Sequence, residues 1–155
     1  MIRPAALLTL VAAWLAPLSG CGPSRARMLE GEIAQAVQTS PGHVDFATLY
    51  PAAWDRVCIL TPGITRDQVK RLLGFGYSAG PYLVARTDVA GLVFVRGGDV
   101  VAAVRYPRAD GDFTAAGRSY CLPRARAVFR GETAPDAGDR RLLLPAQPPA
   151  GGARP

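Results

Sequence analysis

Leu92-Val93-Phe94-Val95-Arg96-Gly97-Gly98-Asp99-Val100-Val101-Ala102-Ala103-Val104-Arg105-Tyr106 decides the fold class. Two apolar, β-branched runs flank a Gly-Gly pair, and the primed turns that join antiparallel strands need positive φ, which glycine supplies at no steric cost. The stretch predicts a hairpin of strands Leu92–Arg96 and Val100–Tyr106. Upstream, Trp54–Leu60 reads as a strand whose run Val57-Cys58-Ile59-Leu60 lacks polar alternation, so both of its faces are expected to be buried. Tyr82–Thr87 reads as another strand. Downstream, Tyr120–Phe129 reads as at least one more, broken or ended at Pro123, which cannot donate to a ladder.

Helical periodicity appears in three places. Met28, Leu29, Ile33, Ala36 and Val37 recur at three- and four-residue spacing, predicting an amphipathic helix from Ser24 to about Gln38, closed by Thr39-Ser40-Pro41-Gly42. Asp45 is placed to cap a second short helical or irregular piece with Phe46, Leu49 and Tyr50 as its apolar face. In Thr61-Pro62-Gly63-Ile64-Thr65-Arg66-Asp67-Gln68-Val69-Lys70-Arg71-Leu72-Leu73-Gly74, Thr65 and Gln68 form a capping box. Ile64 and Val69 are spaced as a hydrophobic staple, and Gly74 as a left-handed cap. The order is one or two N-terminal helices, a strand, a short helix and then an antiparallel β-meander, which predicts an α+β fold with helices on one face of the sheet. From Gly131 onward 14 of 25 residues are Gly, Ala or Pro, broken by Leu142, Leu143 and Leu144. That composition reads as a disordered tail that proteolysis should remove without unfolding the domain.

Gly63-Ile64-Thr65-x-x-Gln68-Val69-x-x-x-Leu73-Gly74 resembles a segment of BamE-like (SmpA/OmlA) outer-membrane lipoproteins, in which it caps a helix packed on a three-stranded antiparallel sheet. The match spans 12 residues. The chain departs from that family in having no Pro soon after Gly74 and a tryptophan-containing strand ahead of the helix. A second set of residues is similar to a group of small bacterial lipoproteins to which no activity is attached. It comprises Trp54-Asp55-Arg56-Val57-Cys58, Leu73-Gly74-Phe75, Leu92–Val95, Pro107-Arg108, Asp112-Phe113, Cys121 and Arg124.

The N-terminus agrees with both likenesses. Arg3 and the apolar stretch Ala5–Leu18 read as a secretory signal, too short for the ~20 residues a bilayer span needs. Leu18-Ser19-Gly20-Cys21 resembles the lipobox, which in lipoproteins implies a diacylglycerol on the Cys21 thiol and cleavage just before it. The implied organisation is a signal peptide over 1–20, a lipidated tether over 21–27, one α+β domain over 28–130 and a tail over 131–155. Gly22 stands where lipoproteins retained in the enteric inner membrane carry Asp, so the implied location is the outer membrane, facing the periplasm. The other two cysteines, Cys58 and Cys121, form an even pair in a chain expected to enter an oxidising compartment. They are a candidate disulfide, the alternative being two buried free thiols.

With 155 residues the chain holds one small domain and excludes a second. Its net charge of +6 permits anionic partners but is too dispersed to imply nucleic acid. Two cysteines without histidines make no zinc site, and neither metal nor cofactor is expected. Gly76-Tyr77-Ser78-Ala79-Gly80 matches the Gly-x-Ser-x-Gly nucleophile elbow, so a serine hydrolase using Ser78 is one alternative. A helix before it, Pro81 after it and a lone upstream base, His43, all oppose the strand-turn-helix context that motif requires. Asp110 and Asp112 are two carboxylates in a turn, too few for a calcium loop. If Arg124–Arg130 is extended, Arg124, Arg126 and Arg130 share one face, with Arg105, Arg108 and Arg118 nearby. This is a candidate surface for acidic partners or lipid headgroups, the alternative being a solvated edge strand whose charges prevent pairing with neighbours. The expectation is a lipid-anchored, non-catalytic envelope module that binds a protein partner, with outer-membrane assembly or integrity as the setting. A small inhibitor or immunity-type binder is the other alternative.

Overall fold

The computed structural model describes residues 25–133 and 140–147. Cys21, the signal peptide, residues 134–139 and residues 148–155 lie outside them. Helix α1 (Arg25–Thr39) is followed by β1 (Val44–Asp45), α2 (Phe46–Leu49), β2 (Arg56–Leu60), α3 (Arg66–Leu73) and α4 (Gly80–Leu83). Then come β3 (Val89–Arg96), β4 (Asp99–Pro107), β5 (Tyr120–Pro123), a 3-10 turn (Arg124–Arg126), β6 (Val128–Thr133) and β7 (Arg141–Pro145). The α+β class with an antiparallel meander is therefore what the chain adopts.

β2, β3 and β4 form the meander, and β5 returns along the free edge of β2, giving the order β4-β3-β2-β5 with all neighbours antiparallel. The hairpin reverses at Gly97-Gly98, pairing Arg96 with Asp99, and a register shift next to Val95 leaves Val101 as the extra residue. Alternation sorts the side chains of β2 onto two faces. Val57 and Ile59 join Leu92, Phe94, Tyr120 and Leu122 in one core; Cys58 and Leu60 join Val93, Val95, Val69 and Leu73 in a second. Burial of β2 on both sides, read from its unbroken apolar run, is borne out.

The helices occupy both faces, not one. Leu29, Ile33 and Val37 seat α1 in the first core, whereas Val69 and Leu73 seat α3 in the second. The first core is completed by a tilted aromatic stack in which Phe46 lies 4.9 Å from Phe129 and 5.3 Å from Phe113, and Trp54 meets Phe94 edge-on at 5.1 Å. Local signals in the α3 segment hold in detail. Gln68 donates its amide to Thr65 Oγ1 and accepts the Thr65 amide on its side chain, and Gly74 closes the helix at φ 81°. Asp45 caps α2 by accepting the Ala47 amide at 2.9 Å. Met28, expected on the apolar face of α1, is instead half exposed.

Cys58 and Cys121 face each other across β2 and β5, with Cα atoms 4.0 Å apart, and form a disulfide. Chain-entropy reasoning assigns roughly 4 kcal/mol to a closed loop of this length.

Two further expectations are corrected. Tyr82–Thr87 is not a strand: Pro81 sits in the first turn of α4, where its missing N–H costs nothing, and the chain then turns into β3 at Val89. The tail reading of 131–155 fails at Gly131–Thr133 and Arg141–Pro145, because β6 continues to Thr133 and β7 pairs with it in a second sheet of order β1-β6-β7. Leu143 is fully buried in the first core, and its amide donates to Asp112 O at 2.9 Å. The Arg141 guanidinium donates to Val37 O near the end of α1 at 2.5 Å, supplying a donor where a helix leaves carbonyls unpaired. Composition misled because Leu142-Leu143-Leu144 gains its partners from residues far back in the chain. Accordingly, Leu143→Ala should cost about 2–5 kcal/mol in urea unfolding, and a chain ending at Thr133 should show a lower unfolding midpoint. A midpoint unchanged by that truncation would contradict the packing described.

Candidate functional site

An open groove of about 560 Å³ lies between the loop Thr61–Ile64, α3 and the turn Gly117–Ser119. The capping box of α3 fixes one wall. The opposite wall is pinned where the Thr61 amide donates to Ser119 Oγ at 2.9 Å, with the two hydroxyls a further 2.9 Å pair. Ile64 and Leu72 give it an apolar lining, and Arg71 and Arg118 bring guanidinium groups to it. Neither arginine makes a hydrogen bond or ion pair among the described residues, so both carry bidentate donors free for a carboxylate or phosphate. No histidine, carboxylate or thiol lines the groove, and its serine hydroxyl is engaged with Thr61. The arrangement can bind an anionic group beside an apolar one; it holds no nucleophile and base in hydrogen-bond reach of each other.

The residues singled out from sequence fall elsewhere. Arg124, Arg126 and Arg130 do not share a face, because Arg124–Arg126 winds into a 3-10 turn after Pro123. The Arg124 guanidinium turns inward, lying 4.9 Å over the Trp54 ring and donating to Ala52 O at 2.6 Å. Arg126 stays partly exposed and Arg130 exposed. Arg105 reaches Tyr82 O and Leu83 O, tying β4 to α4, while Arg118 lines the groove. The expected single face thus does not form: Arg105, Arg108 and Arg124 are engaged within the fold, whereas Arg118, Arg126 and Arg130 make no side-chain hydrogen bond among the described residues.

Ser78 is exposed in the turn between α3 and α4, with a helix on each side of it. His43 is exposed between α1 and β1, beside Thr39, Asp45 and Thr48, and no hydrogen bond joins it to Ser78 among the described residues. The glycine that completes the elbow motif, Gly80, has a packing reason of its own: a Cβ there would sit 2.9 Å from Val69 Cγ1. Close approach of α4 to α3 excludes any side chain at that position.

Asp112, read as half of a solvated carboxylate pair, is buried and fully engaged. Arg108 grips it with Nε and Nη2 at 3.0 and 2.7 Å, and the Thr114 hydroxyl and amide donate at 2.6 and 2.9 Å. Burial pushes the carboxyl up, but the Arg108 and Thr114 donors together outweigh it and hold it below the ordinary carboxylate value. These oxygens leave nothing for a cation, and among the described residues no cluster of three or more metal-ligating side chains forms. No known protein family, curated protein or solved structure matches the chain.

The groove was not visible from sequence because its two walls are 58 residues apart at the Thr61–Ser119 contact. Arg124→Ala should cost roughly 2–3 kcal/mol of unfolding free energy, from the lost stacking and charged hydrogen bonds. Arg126→Ala and Arg130→Ala should stay within about 0.5 kcal/mol of the parent. Equal effects at all three positions would contradict the inward placement of Arg124. Asp112→Asn should cost about 3–5 kcal/mol at neutral pH, since it strands Arg108 beside an uncharged amide. A carboxyl depressed on folding contributes fully above its unfolded value, about 3.9, and loses that contribution as pH falls through its folded value. The gap between parent and variant should therefore begin to narrow as pH falls below about 4 and go on narrowing down to the folded value, and a gap that does not narrow at all over that range would refute the charge-based account.

Proposed function

We propose that the chain is a lipid-anchored, non-catalytic binding module of the cell envelope, carried on the outer membrane facing the periplasm and serving as an accessory to an envelope protein. The observation that carries this reading is Leu18-Ser19-Gly20-Cys21, the lipobox-like end of a charged and then apolar N-terminus. The Cys58–Cys121 disulfide supports it, because such bonds persist in oxidising compartments and are rare in the cytosol. The resemblance of Gly63–Gly74 to BamE-like lipoproteins also fits an envelope setting. Here, however, the capped helix packs on a four-stranded sheet, so the resemblance contributes the setting and not a partner.

The groove supplies the binding face. Arg71 and Arg118 suit an acidic group on the partner, and Ile64 with Leu72 suits an adjacent apolar side chain. Two acyl chains or more, at ~0.8 kcal/mol per buried methylene, hold such a protein at the membrane without any transmembrane helix. Among the described residues no helix is long and apolar enough to cross one.

The deciding experiment is the intact mass of the membrane-fraction protein beside a Cys21→Ser variant. The expected mass is that of residues 21–155 plus acyl groups, with the variant released as unacylated protein. A parent chain recovered without acyl groups would overturn the anchored reading.

A further inference from the structure

We propose that the N-terminal end of α1 is a membrane-docking face that lies on anionic phospholipid; this rests on acylation at Cys21. Chain length sets the geometry. Cys21 precedes Arg25, the first residue of α1, by four residues, and four residues span at most about 14 Å even when fully extended. An acylated Cys21 sits among the lipid headgroups, so the first turn of α1 is held within that distance of the phosphates. The domain cannot stand off from the bilayer as one on a long linker does.

What this end of the helix presents suits that position. Arg25 and Arg27 are exposed, and the first turn carries no acidic residue. The acidic residues of α1, Glu30 and Glu32, lie roughly 5–10 Å farther from the anchored end at 1.5 Å per residue. Charge is thus graded along the helix, basic toward the lipid. Beside the two arginines is Met28, an apolar side chain that is 51% exposed although its neighbour Leu29 is buried. It borders a shallow groove of about 220 Å³ whose other lining includes Arg25, Leu49, Pro51 and Ala52, with Glu32 one turn beyond Met28 along the helix. A flexible thioether flanked by guanidinium groups is suited to the interface, with the sulfur side chain entering the headgroup layer and the arginines meeting phosphate oxygens. Each basic residue near an anionic leaflet contributes about five-fold in binding. Two such residues orient a protein that is already anchored.

The test uses the acylated protein in vesicles of phosphatidylethanolamine and phosphatidylglycerol with brominated acyl chains, and Met28→Trp as the reporter. The native tryptophan of residues 21–155 is Trp54, which is buried, so the parent protein gives the background. Docking predicts that fluorescence of the introduced indole is quenched by the brominated lipid and shielded from acrylamide. Adding Arg25→Glu and Arg27→Glu should abolish both effects while the acyl mass is retained. Acylated Met28→Trp protein that is as open to acrylamide as the Cys21→Ser form, with no bromine quenching, overturns the proposal and leaves the anchor intact. Shielding without bromine quenching means that a protein surface covers the reporter, and it also overturns the proposal. Absence of the acyl mass removes the anchor and the docking face together, which separates the two failures.

Discussion

β2 must be covered on both faces, and the placing of every other layer follows from that. Val57 and Ile59 point to one side, Cys58 and Leu60 to the other, and all four are completely buried. A sheet with a helix layer on one side only would leave two of these residues in water, at about 25 cal/mol for each Å² of apolar surface. The chain meets the requirement with unlike layers. On one side lie α1 and the aromatic stack that links it to the small sheet; on the other lie α3 and α4. The disulfide locks β2 to β5 on the second side, where the layer is thin and its two helices are short. A small domain gains most from such a bond because its apolar core stabilises it only slightly beyond the chain entropy lost.

That constraint also separates what could be read from the sequence from what could not. The capping box at Thr65–Gln68, the glycine end of α3, the Asp45 cap and the Gly-Gly hairpin are decided by residues within a few positions of each other, and each formed as read. The unbroken apolar run of β2 announced two buried faces, yet the neighbouring strand-like segment after Pro81 offered no such run and became a helical turn. Failures concentrate where partners are distant. Leu143 looks like a chance apolar residue in a Gly/Ala/Pro stretch until Asp112 and Val37 are brought to it. Arg124 looks like a surface charge until the turn after Pro123 lays it on Trp54. The groove is the extreme case, since neither wall carries any sign of the other.

The arginines explain why a net charge of +6 is a poor guide to partners here. Arg56, Arg105, Arg108, Arg124 and Arg141 each donate to backbone carbonyls, at Leu73, Leu83, Thr87, Ala52 and Val37 respectively. Several of those carbonyls lie at helix ends or in irregular segments, where no ladder or helix partner is on hand. The guanidinium fork, with five donors and a long apolar stem, can reach such sites across a crowded interior edge, which an ammonium on a similar stem does less well. Much of the basic composition is therefore used inside the fold. Among the described residues, Arg25 and Arg27 at one place and Arg71 and Arg118 at another are exposed and make no such bond, as are Lys70, Arg96 and Arg130.

The pairs Arg25/Arg27 and Arg71/Arg118 belong to opposite faces of the same sheet. Arg25 and Arg27 are on the helix that covers the first core, and Arg71 is on the helix that covers the second, with Arg118 across the groove from it. If Cys21 is acylated as proposed, an anchor at the start of α1 would place the membrane-facing surface on a different layer from the one that builds the groove. On that proposal, a bilayer under α1 and an acidic partner at α3 would not compete for the same residues, with the four-stranded sheet between them. If the pairs shared a face, headgroup phosphates would occupy the guanidinium groups that a protein partner needs, and anchoring would inhibit binding. The division of α1 and α3 between the two sides of β2, imposed by packing alone, would let the proposed short tether and the open groove coexist in one small domain.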